Sequence, residues 1–440
     1  AGTVVENFGV GSSVTISENT ITINPTADIT ATQDYIISYP SGCFTNNEGT
    51  DYVGTAYTFQ ARAYDYQLWM WGDNRAGQLG LNNTTYYSSP VQMPGTTWRY
   101  VTTQRNGCSY AIKTDGTLWA WGDNENGQLG LNQPDGTKIS SPVQIPGTTW
   151  KPETLIASYM SALCCKTDGT LWSWGSQGGQ GRLGLNQQSV NQSSPCQIPG
   201  TTWKRPFVSG TGTSGGIKTD GTLWVWGRNS DGALGQNNAT QYSSPVQVPG
   251  TTWANSNSGS YNDIIATKTD GTLWAWGENA RGVLGQNNQT KYSSPVQIPG
   301  TTWSTAHGAL SGSARAAAAI KTDGTLWVWG GNKDGVLGIN LGQGSTETNS
   351  RSSPTQVGTD TTWASIRSLN YSNMAMKTDG TLWGWGSGDN GGNALPGTVG
   401  MANNAHRSSP VQVGSDTTWY TDGWTTGAWN QNFCGAIKKI

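Results

Sequence analysis

The chain repeats one short phrase around its length. The motif Leu-Trp-x-Trp-Gly occurs seven times, at spacings of 50 to 56 residues. Its copies begin at Leu68, Leu118, Leu171, Leu223, Leu273, Leu326 and Leu382. A further tryptophan follows each copy in the phrase SSPVQIPGTTW or a relative of it, at Trp98, Trp150, Trp203, Trp253, Trp303, Trp363 and Trp419. Repetition at this period predicts a propeller or a solenoid, in which each unit covers its apolar surface with its neighbours.

Each unit predicts a small antiparallel sheet of about four strands. In the second unit, the β-prone runs YAIK and TLWAWG are separated by Asp115-Gly116. This pair is a strong hairpin signal, and we expect a type I′ turn with positive φ at both residues. The strand after the turn places its two tryptophans on one face and a leucine and an alanine on the other. Since both faces are apolar, each sheet is expected to lie between two neighbouring sheets.

The two ends of the repeat region complement each other. The segment NFCGAIKKI (432–440) matches the strand that precedes the Asp-Gly turn elsewhere, while YDYQLWMWG (64–72) lacks such a strand before it. We therefore expect the final strand to pair with Leu68–Gly72, which removes exposed sheet edges. The expected fold class is an all-β, seven-bladed β-propeller closed by N- and C-terminal strands, with a small N-terminal β segment.

These phrases resemble the regulator of chromosome condensation repeat family, whose Trp-Gly and Gly-x-Leu-Gly signatures they share. The resemblance covers roughly 64–440 and implies a seven-bladed propeller. The variants TDGTLWAWG and SSPVQIPGTTW look like bacterial and bacteriophage members more than the eukaryotic chromatin protein. The seventh copy departs from the pattern, because residues 386–406 form an insertion and carry Leu-Pro-Gly in place of Leu-Gly.

Residues 1–60 are a different piece. ITINPTADITATQDYIISYPSG followed by YVGTAYTF resembles the second half of a bacterial Ig-like sandwich domain of surface proteins. We expect a partial Ig-like β domain or stalk at 1–60 and the propeller at 61–440. The missing half predicts one of two arrangements: a longer surface protein of which this is the C-terminal part, or a homo-oligomer in which a neighbouring subunit supplies the strands.

Composition argues against several classes of function. The net charge is −2, with 12 % charged residues, whereas a nucleic-acid partner requires a basic surface. No run of 18 apolar residues exists, so we expect no membrane insertion. Zinc-ligand spacings, phosphate loops and cysteine–histidine pairings are missing from the sequence. We therefore expect no enzyme, no catalytic residue, no cofactor and no metal.

The remaining ionisable and thiol side chains have ordinary interpretations. Two histidines, His307 and His406, lie in unrelated loops. One lysine precedes each Thr-Asp-Gly, and these are expected to form a ring of solvated charges, with ligand binding as the alternative; they are Lys113, Lys166, Lys218, Lys268, Lys321 and Lys377. The six cysteines are interpreted as small buried hydrophobes. The phrase DNENG (123–127) is interpreted as a bend stabilised by Asn and Gly, since it lacks the glutamate of a calcium loop.

Four tyrosines are the candidate binding residues. Tyr86, Tyr87, Tyr242 and Tyr292 follow Asn-Asn phrases in loops predicted along one rim, and tyrosine among Asn, Ser and Thr makes adaptable binding surfaces. Two interpretations stay open: a binding rim, or rings that only cover the blade edges. The same phrases carry Asn-x-Thr sequons at Asn83, Asn238 and Asn288. The loops 341–350 and 386–406 break the repeat and are candidate partner contacts.

The sequence predicts a non-enzymatic, extracellular propeller. By resemblance it is a bacteriophage virion surface component, a capsid decoration or fibre-type protein, whose partners are other virion or cell-surface proteins and surface glycans. The alternative is a secreted bacterial adhesin or a propeller-type protein inhibitor, since similar propellers inhibit β-lactamases. Chromatin binding and nucleotide exchange, which the eukaryotic relatives perform, are disfavoured by the charge and by the missing basic tail.

Overall fold

The computed structural model describes most of the repeat region and parts of the N-terminal segment. The described residues are 14–17, 20–23, 34–38, 57–60, 65–104, 106–158, 160–258, 262–313, 315–341, 349–368, 371–388, 405–420, 425–426 and 433–439. The chain divides into two compact units, Ala1–Asp65 and Tyr66–Ile440.

The first unit contains two antiparallel strand pairs among its described residues. Strand β1 (Val14–Ser17) pairs with β2 (Thr20–Ile23), and β3 (Asp34–Ile37) pairs with β4 (Tyr57–Gln60). The alternation of polar and apolar residues in these runs is typical of strands. The Ig-like assignment of residues 1–60 stays a prediction.

Seven four-stranded antiparallel sheets make up the described part of the second unit, and we number these blades 1 to 7 by the order of their Leu-Trp-x-Trp-Gly motifs. From first to fourth strand they are: blade 1, β31 (Thr425–Thr426), β32 (Phe433–Lys439), β5 (Tyr66–Gly72) and β6 (Tyr87–Gln92); blade 2, β7 (Trp98–Gln104), β8 (Cys108–Lys113), β9 (Leu118–Asn124) and β10 (Thr137–Ile145); blade 3, β11 (Ile156–Ser158), β12 (Ser161–Cys165), β13 (Leu171–Gly175) and β14 (Gln192–Ile198); blade 4, β15 (Trp203–Val208), β16 (Thr213–Lys218), β17 (Leu223–Gly227) and β18 (Tyr242–Gln247); blade 5, β19 (Trp253–Ser258), β20 (Asp263–Lys268), β21 (Leu273–Gly277) and β22 (Tyr292–Ile298); blade 6, β23 (Leu310–Gly312), β24 (Ala316–Ile320), β25 (Leu326–Gly330) and β26 (Arg351–Gln356); blade 7, β27 (Trp363–Ser368), β28 (Ser372–Lys377), β29 (Leu382–Gly386) and β30 (Arg407–Gln412).

Helical structure is minimal in the part of the chain that is described. It consists of two 3₁₀ turns, Pro152–Thr154 and Lys333–Gly335. A bilayer-spanning helix is not found among the described residues.

The blades form a closed ring. The first strand of each blade contacts the first strands of the blades on both sides, and β31 of blade 1 contacts both β27 of blade 7 and β7 of blade 2. These first strands therefore surround a central channel. In blade 1 the closing pair runs antiparallel, with Ile437 opposite Leu68 and Lys439 opposite Tyr66. The seven-bladed, all-β fold and its closure by strands from both ends of the repeat region are confirmed.

The Asp-Gly hairpin is confirmed, but its predicted turn type is wrong. In blade 2 the Gly116 N–H donates to the Lys113 carbonyl (3.0 Å), and the Lys113 N–H donates to the Thr117 carbonyl (3.0 Å). Gly116 has φ 76°, while Asp115 is not left-handed. The turn is a three-residue loop with one left-handed glycine rather than a two-residue type I′ turn. The aspartate is therefore free to use its side chain as a cap.

Five blades are locked to the preceding blade through a hydrogen bond of the second motif tryptophan. The indole N–H of Trp226 in blade 4 donates to the carbonyl of Arg182 in blade 3 (2.9 Å). Gly184 lies against the same ring, where a Cβ would fall 2.8 Å from the indole nitrogen. The same hydrogen bond joins Trp121 to Gln78, Trp276 to Ala233, Trp329 to Val283 and Trp385 to Val336. Close approach of backbone to ring at this point requires glycine.

A left-handed asparagine completes this contact, which we call the blade latch. The backbone N–H of Asn132 in blade 2 donates to the carbonyl of Ser193 in the outer strand of blade 3 (2.7 Å). The equivalent pairs are Asn82 with Ser140, Asn186 with Ser243, Asn237 with Ser293, Asn287 with Ser352 and Asn340 with Ser408. All six asparagines have φ between 52° and 59°, a conformation that Asn tolerates better than most residues. The Leu-Gly-x-Asn phrase is therefore the physical link between blades.

The two faces of a blade are buried against different neighbours. In blade 2, Leu118 and Ala120 belong to an apolar cluster that contains Trp174 of blade 3. Trp121 belongs to a separate cluster with Leu68 of blade 1. This is the arrangement that the apolar faces predicted, and the core consists of such clusters between successive blades.

Gly184→Ala tests the blade latch against a matched glycine. Gly136 is also left-handed (φ 83°), but a Cβ there would meet nothing within 4 Å. Both substitutions carry the cost of a left-handed alanine, and Gly184→Ala adds overpacking against Trp226 of about 1 to 3 kcal/mol. Urea unfolding of both variants measures this difference. Equal losses of stability would show that the glycine–indole contact is unimportant.

Candidate functional site

Each blade carries one lysine between two tryptophan rings. In blade 2 the Lys113 ammonium lies 4.7 Å from the ring centroid of Trp98 and 4.2 Å from that of Trp119. We call this arrangement the lysine clamp. The other clamps are Trp150–Lys166–Trp172, Trp203–Lys218–Trp224, Trp253–Lys268–Trp274, Trp303–Lys321–Trp327, Trp363–Lys377–Trp383 and Trp419–Lys438–Trp69.

The clamp follows from strand pairing. Trp98 begins the first strand directly opposite Lys113 at the end of the second, and Trp119 enters the third strand just after the turn. A cation over an indole face is attracted by the ring quadrupole. The prediction of solvated lysines is wrong, because these side chains are partly buried and Lys377 is only 8 % exposed. Lys438 was missed as the seventh member because no Thr-Asp-Gly follows it.

We call the clamp tryptophan of the first strand the inner tryptophan and that of the third strand the outer tryptophan. The Asp-Gly turn is hydrogen-bonded to the outer tryptophan. The Trp119 indole N–H donates to the Thr117 hydroxyl (2.9 Å), which donates to the Asp115 carboxylate (2.7 Å). The Thr117 backbone N–H donates to the same carboxylate oxygen (3.0 Å). The threonine hydrogen bonds hold the pKa of Asp115 below its ordinary value. The corresponding pKa values are lowered in the same way at Asp168, Asp220, Asp270, Asp323 and Asp379.

In two clamps the lysine also forms an ion pair with an aspartate of the same chain. The connectors to blades 7 and 1 read VGTDTTW and VGSDTTW, without the proline found in the others. Asp360 from the first binds Lys377 (2.6 Å), and Asp416 from the second binds Lys438. A clamp therefore accepts a carboxylate when one is available.

The four candidate tyrosines lie at or beside the start of outer strands. Three of them begin their strands, namely Tyr87, Tyr242 and Tyr292. Each is partly buried and packs against an apolar cluster between blades. Their hydroxyls accept hydrogen bonds from Asn83, Asn238 and Asn288, the three sequon asparagines, at 3.1 to 3.5 Å. Tyr86 differs, because its hydroxyl is buried with no hydrogen-bond partner among the described residues. Burial, followed by the charge of Asp73, raises the pKa of Tyr86.

The asparagine interpretation of the bend after each motif agrees with the structure. In blade 2 the Asn124 side-chain oxygen accepts the Leu129 N–H (3.0 Å), which shapes the loop. Among the described residues, no group of three His, Cys, Asp or Glu side chains is placed to hold a metal. The loop residues 342–348 and 389–404 lie outside the described residues.

The cysteines are free thiols where they are described. Cys108, Cys164 and Cys165 are buried and Cys196 is half-buried. Burial raises the pKa of Cys165 to about 12 and also raises the pKa values of Cys108 and Cys164. These thiols are therefore unreactive packing groups. The side chains of the other two cysteines lie outside the described residues.

A segment of blade 6 reaches into the central channel. The rings of His307 in blade 6 and Tyr100 in blade 2, which are not neighbouring blades, lie 6.4 Å apart. Arg205 in blade 4 donates to the Thr305 carbonyl (3.0 Å) across the same space. Burial, with the positive charges of Arg367 and Arg205, lowers the pKa of His307 to about 3. This histidine, predicted as an ordinary loop residue, lies instead in the channel as a neutral ring.

Five segments match a known repeat: residues 65–105, 115–157, 168–209, 220–256 and 270–306 match the Regulator of chromosome condensation (RCC1) repeat. The propeller carries RCC1 repeats. The matched segments span blades 1 to 5 and the entry to blade 6, while the bacterial or bacteriophage subtype stays a prediction. A search among curated proteins found no match.

Solved structures share the fold of this RCC1-repeat propeller. Prp20p from Saccharomyces cerevisiae aligns with a TM-score of 0.70 at 16 % identity, covering 86 % of this chain and 92 % of that one. Yeast RCC1 (Prp20) in its complex with Kap60 aligns at 0.67 with 17 % identity, covering 86 % and 90 %. Human WBSCR16 aligns at 0.67 with 16 % identity, covering 86 % and 99 %. Binding to Gsp1p and histones is described for Prp20p. At these identities the likeness shows the fold alone.

Thr117→Val tests the link from turn to clamp. It keeps the side-chain shape but removes both hydrogen bonds of the hydroxyl, so we expect a loss of about 1 to 2 kcal/mol in unfolding free energy. The pKa of Asp115, followed by NMR, should rise towards its ordinary value. Thr114→Val is the control, because Thr114 is exposed in the same turn and should change stability by less than about 0.5 kcal/mol. Matching losses in both variants would contradict the link.

His307→Gln tests the channel histidine through pH. The folded-state pKa near 3 lies below the ordinary value of 6.5, so the unfolded chain binds the proton first as pH falls. The stability is full above pH 6.5 and declines towards pH 3, by about 2 kcal/mol at pH 5 for this group. Unfolding free energies measured at pH 7 and pH 5 should therefore fall less in His307→Gln than in the wild type. An identical decline in both proteins would mean that the ring is accessible to protons.

Proposed function

We propose that this protein is a non-enzymatic binding propeller displayed outside a cell, as a surface component of a bacteriophage virion. The observation that carries the proposal is the closed ring of latched blades, which holds seven equivalent clamps in fixed positions. Such a ring is a rigid platform for contact with other virion proteins, cell-surface proteins or surface glycans. The virion assignment is supported by the resemblance of the repeat phrases to bacteriophage members.

The binding face in this proposal is the one that carries the Asp-Gly turns. On it each of blades 2 to 7 presents a partly exposed outer tryptophan, a lysine beneath its ring and an ionised aspartate. Tryptophan is enriched among the residues that contribute most to the binding energy of protein interfaces. Six such copies on a rigid ring also allow several weak contacts to act together.

The charge of the chain supports a protein or glycan partner over nucleic acid. The net charge is −2, and the turn face carries a set of aspartates whose lowered pKa values keep them ionised. Binding to phosphates requires the opposite sign of charge. The proposal includes no catalytic step.

The rim tyrosines support the second candidate, a secreted bacterial adhesin or propeller-type inhibitor. Tyr86 has a hydroxyl that no described residue binds, whereas Tyr87, Tyr242 and Tyr292 are held by asparagines. In this candidate the four half-buried tyrosines contact a surface glycan or a protein partner through the exposed parts of their side chains.

Localisation tests the proposal. Immunogold electron microscopy with antibodies against the propeller, on the culture that produces the protein, should label virus particles. Label confined to the cell envelope would favour the adhesin, and label confined to the cell interior would overturn both candidates. For the adhesin, Tyr86→Ala should weaken glycan-array binding, while Tyr242→Ala serves as a comparison at a hydrogen-bonded site.

A further inference from the structure

In six of the seven lysine clamps, the connector that precedes the blade supplies a partner either for the indole N–H of the inner tryptophan or for the lysine ammonium. In four blades the inner tryptophan donates its indole N–H to the carbonyl of a proline four residues earlier. These pairs are Trp98 with Pro94 (2.9 Å), Trp150 with Pro146 (3.3 Å), Trp203 with Pro199 (3.2 Å) and Trp303 with Pro299 (3.3 Å). In blades 7 and 1 the inner tryptophan lacks that bond within the described residues, and an aspartate carboxylate instead binds the lysine.

The clamp of blade 5 has neither of these two partners. Trp253 is 2 % exposed, and its indole nitrogen has no hydrogen-bond partner among the described residues. No carboxylate of the described chain lies within ion-pair distance of Lys268, although Lys268 remains over both tryptophan rings. Asp270 acts on Lys268 only through its charge, because its carboxylate accepts hydrogen bonds from Thr272 (2.7 and 3.0 Å).

The connector beside this clamp has a strained backbone. Its phrase PGTTW is identical to that of four other blades, yet Thr252 alone among these threonines is left-handed, with φ 67°. A left-handed β-branched residue is rare, and such strain is concentrated at ligand-binding positions. The connector also stands away from the indole: a Cβ on Gly250 would lie 3.9 Å from the Trp253 nitrogen, against 3.2 Å for Gly147 and Trp150 in blade 3.

A pocket of about 470 Å³ opens at this place. Lys268 and the two tryptophans of the clamp line it together with Pro249, Gln236 and Asn237. Its volume is in the range of small-ligand pockets, and its lining combines polar side chains with tryptophan and proline. Lys268 and Trp253, whose indole N–H is unbonded, are both among the lining residues.

We propose that this pocket binds the carboxylate of an aspartate or glutamate side chain from a partner protein. The ammonium and the indole N–H supply two donors for the two carboxylate oxygens. Asp360 and Asp416 show the lysine part of this chemistry inside the chain, since each places a loop carboxylate on the ammonium of an equivalent clamp. An aspartate presented on a loop is therefore the occupant that this geometry favours. The inference rests on the proposed protein-binding role and names the recognition chemistry of one blade.

The test uses ¹⁵N NMR of the indole N–H groups in the full chain, with N-acetyl-aspartate amide as the probe and N-acetyl-asparagine amide as its neutral control. One indole resonance, assigned to Trp253 by its loss in Trp253→Phe, should shift with the aspartate probe and not with the asparagine probe. Lys268→Met should weaken this binding about tenfold or more. Lys113→Met is the matched control in blade 2, where the indole is already bonded, and should leave the binding unchanged.

Asp360→Asn provides a gain of binding. Removing the chain's own carboxylate should make Lys377 available, so that the Trp363 indole resonance also responds to the aspartate probe. No Trp253 shift, an equal shift with both probes, or equal weakening by Lys113→Met and Lys268→Met would overturn the proposal. A response to glucuronate without one to the aspartate probe would also overturn it, since the carboxylate would then come from a sugar. Probe binding by a protein that is found inside the cell would uphold this inference and overturn the proposed location.

Discussion

The hydrogen bond from a buried indole to the carbonyl of the preceding blade, which five of the blades make, is the contact on which the ring most depends. It operates only because the Leu-Gly-x-Asn segment lets the backbone touch the ring, as Gly184 does with Trp226. A four-stranded sheet with two apolar faces cannot stand alone in water. The latch asparagine repeats at six of the interfaces between blades, and β31, β32 and β5 complete blade 1 and close the ring.

The two tryptophans of each repeat motif have different roles: one packs between blades, and the other lies partly at the surface. The second motif tryptophan is buried in the latch, while the first is partly exposed above a lysine. The two lie two residues apart on one strand, so the same face serves the core at one end and the clamp at the other. A structural repeat therefore creates a repeated surface feature without further residues. Differences between blades then arise in the connectors, where Asp360, Asp416 and Thr252 alter how a clamp is completed.

Sequence reasoning performed well where the signal was periodic and poorly where it depended on backbone detail. The pairing of Ile437 with Leu68 was predictable, because the final segment reads as a strand without its turn. The type I′ turn at Asp115 was not, since an Asp-Gly pair is compatible with several loop lengths and the neighbouring strand register decides among them. The solvated lysines were wrong for a related reason. Lys113 meets its two tryptophans only after three strands have paired, which no local pattern reveals.

The amino-acid sequence by itself determined the number of blades, their strand order and the closure of the ring, because these depend on apolar periodicity and on complementary ends. Only the tertiary structure decided the environment of particular side chains. Trp150 and Trp253 both end the same phrase PGTTW. The Trp150 indole N–H is bonded to its connector, whereas the Trp253 indole N–H has no partner among the described residues. Likewise, His307 enters the channel because the closed ring brings blades 2, 4 and 6 to a common axis. Such contacts arise between residues distant in the chain, so their energies are set by the assembled ring rather than by any local segment.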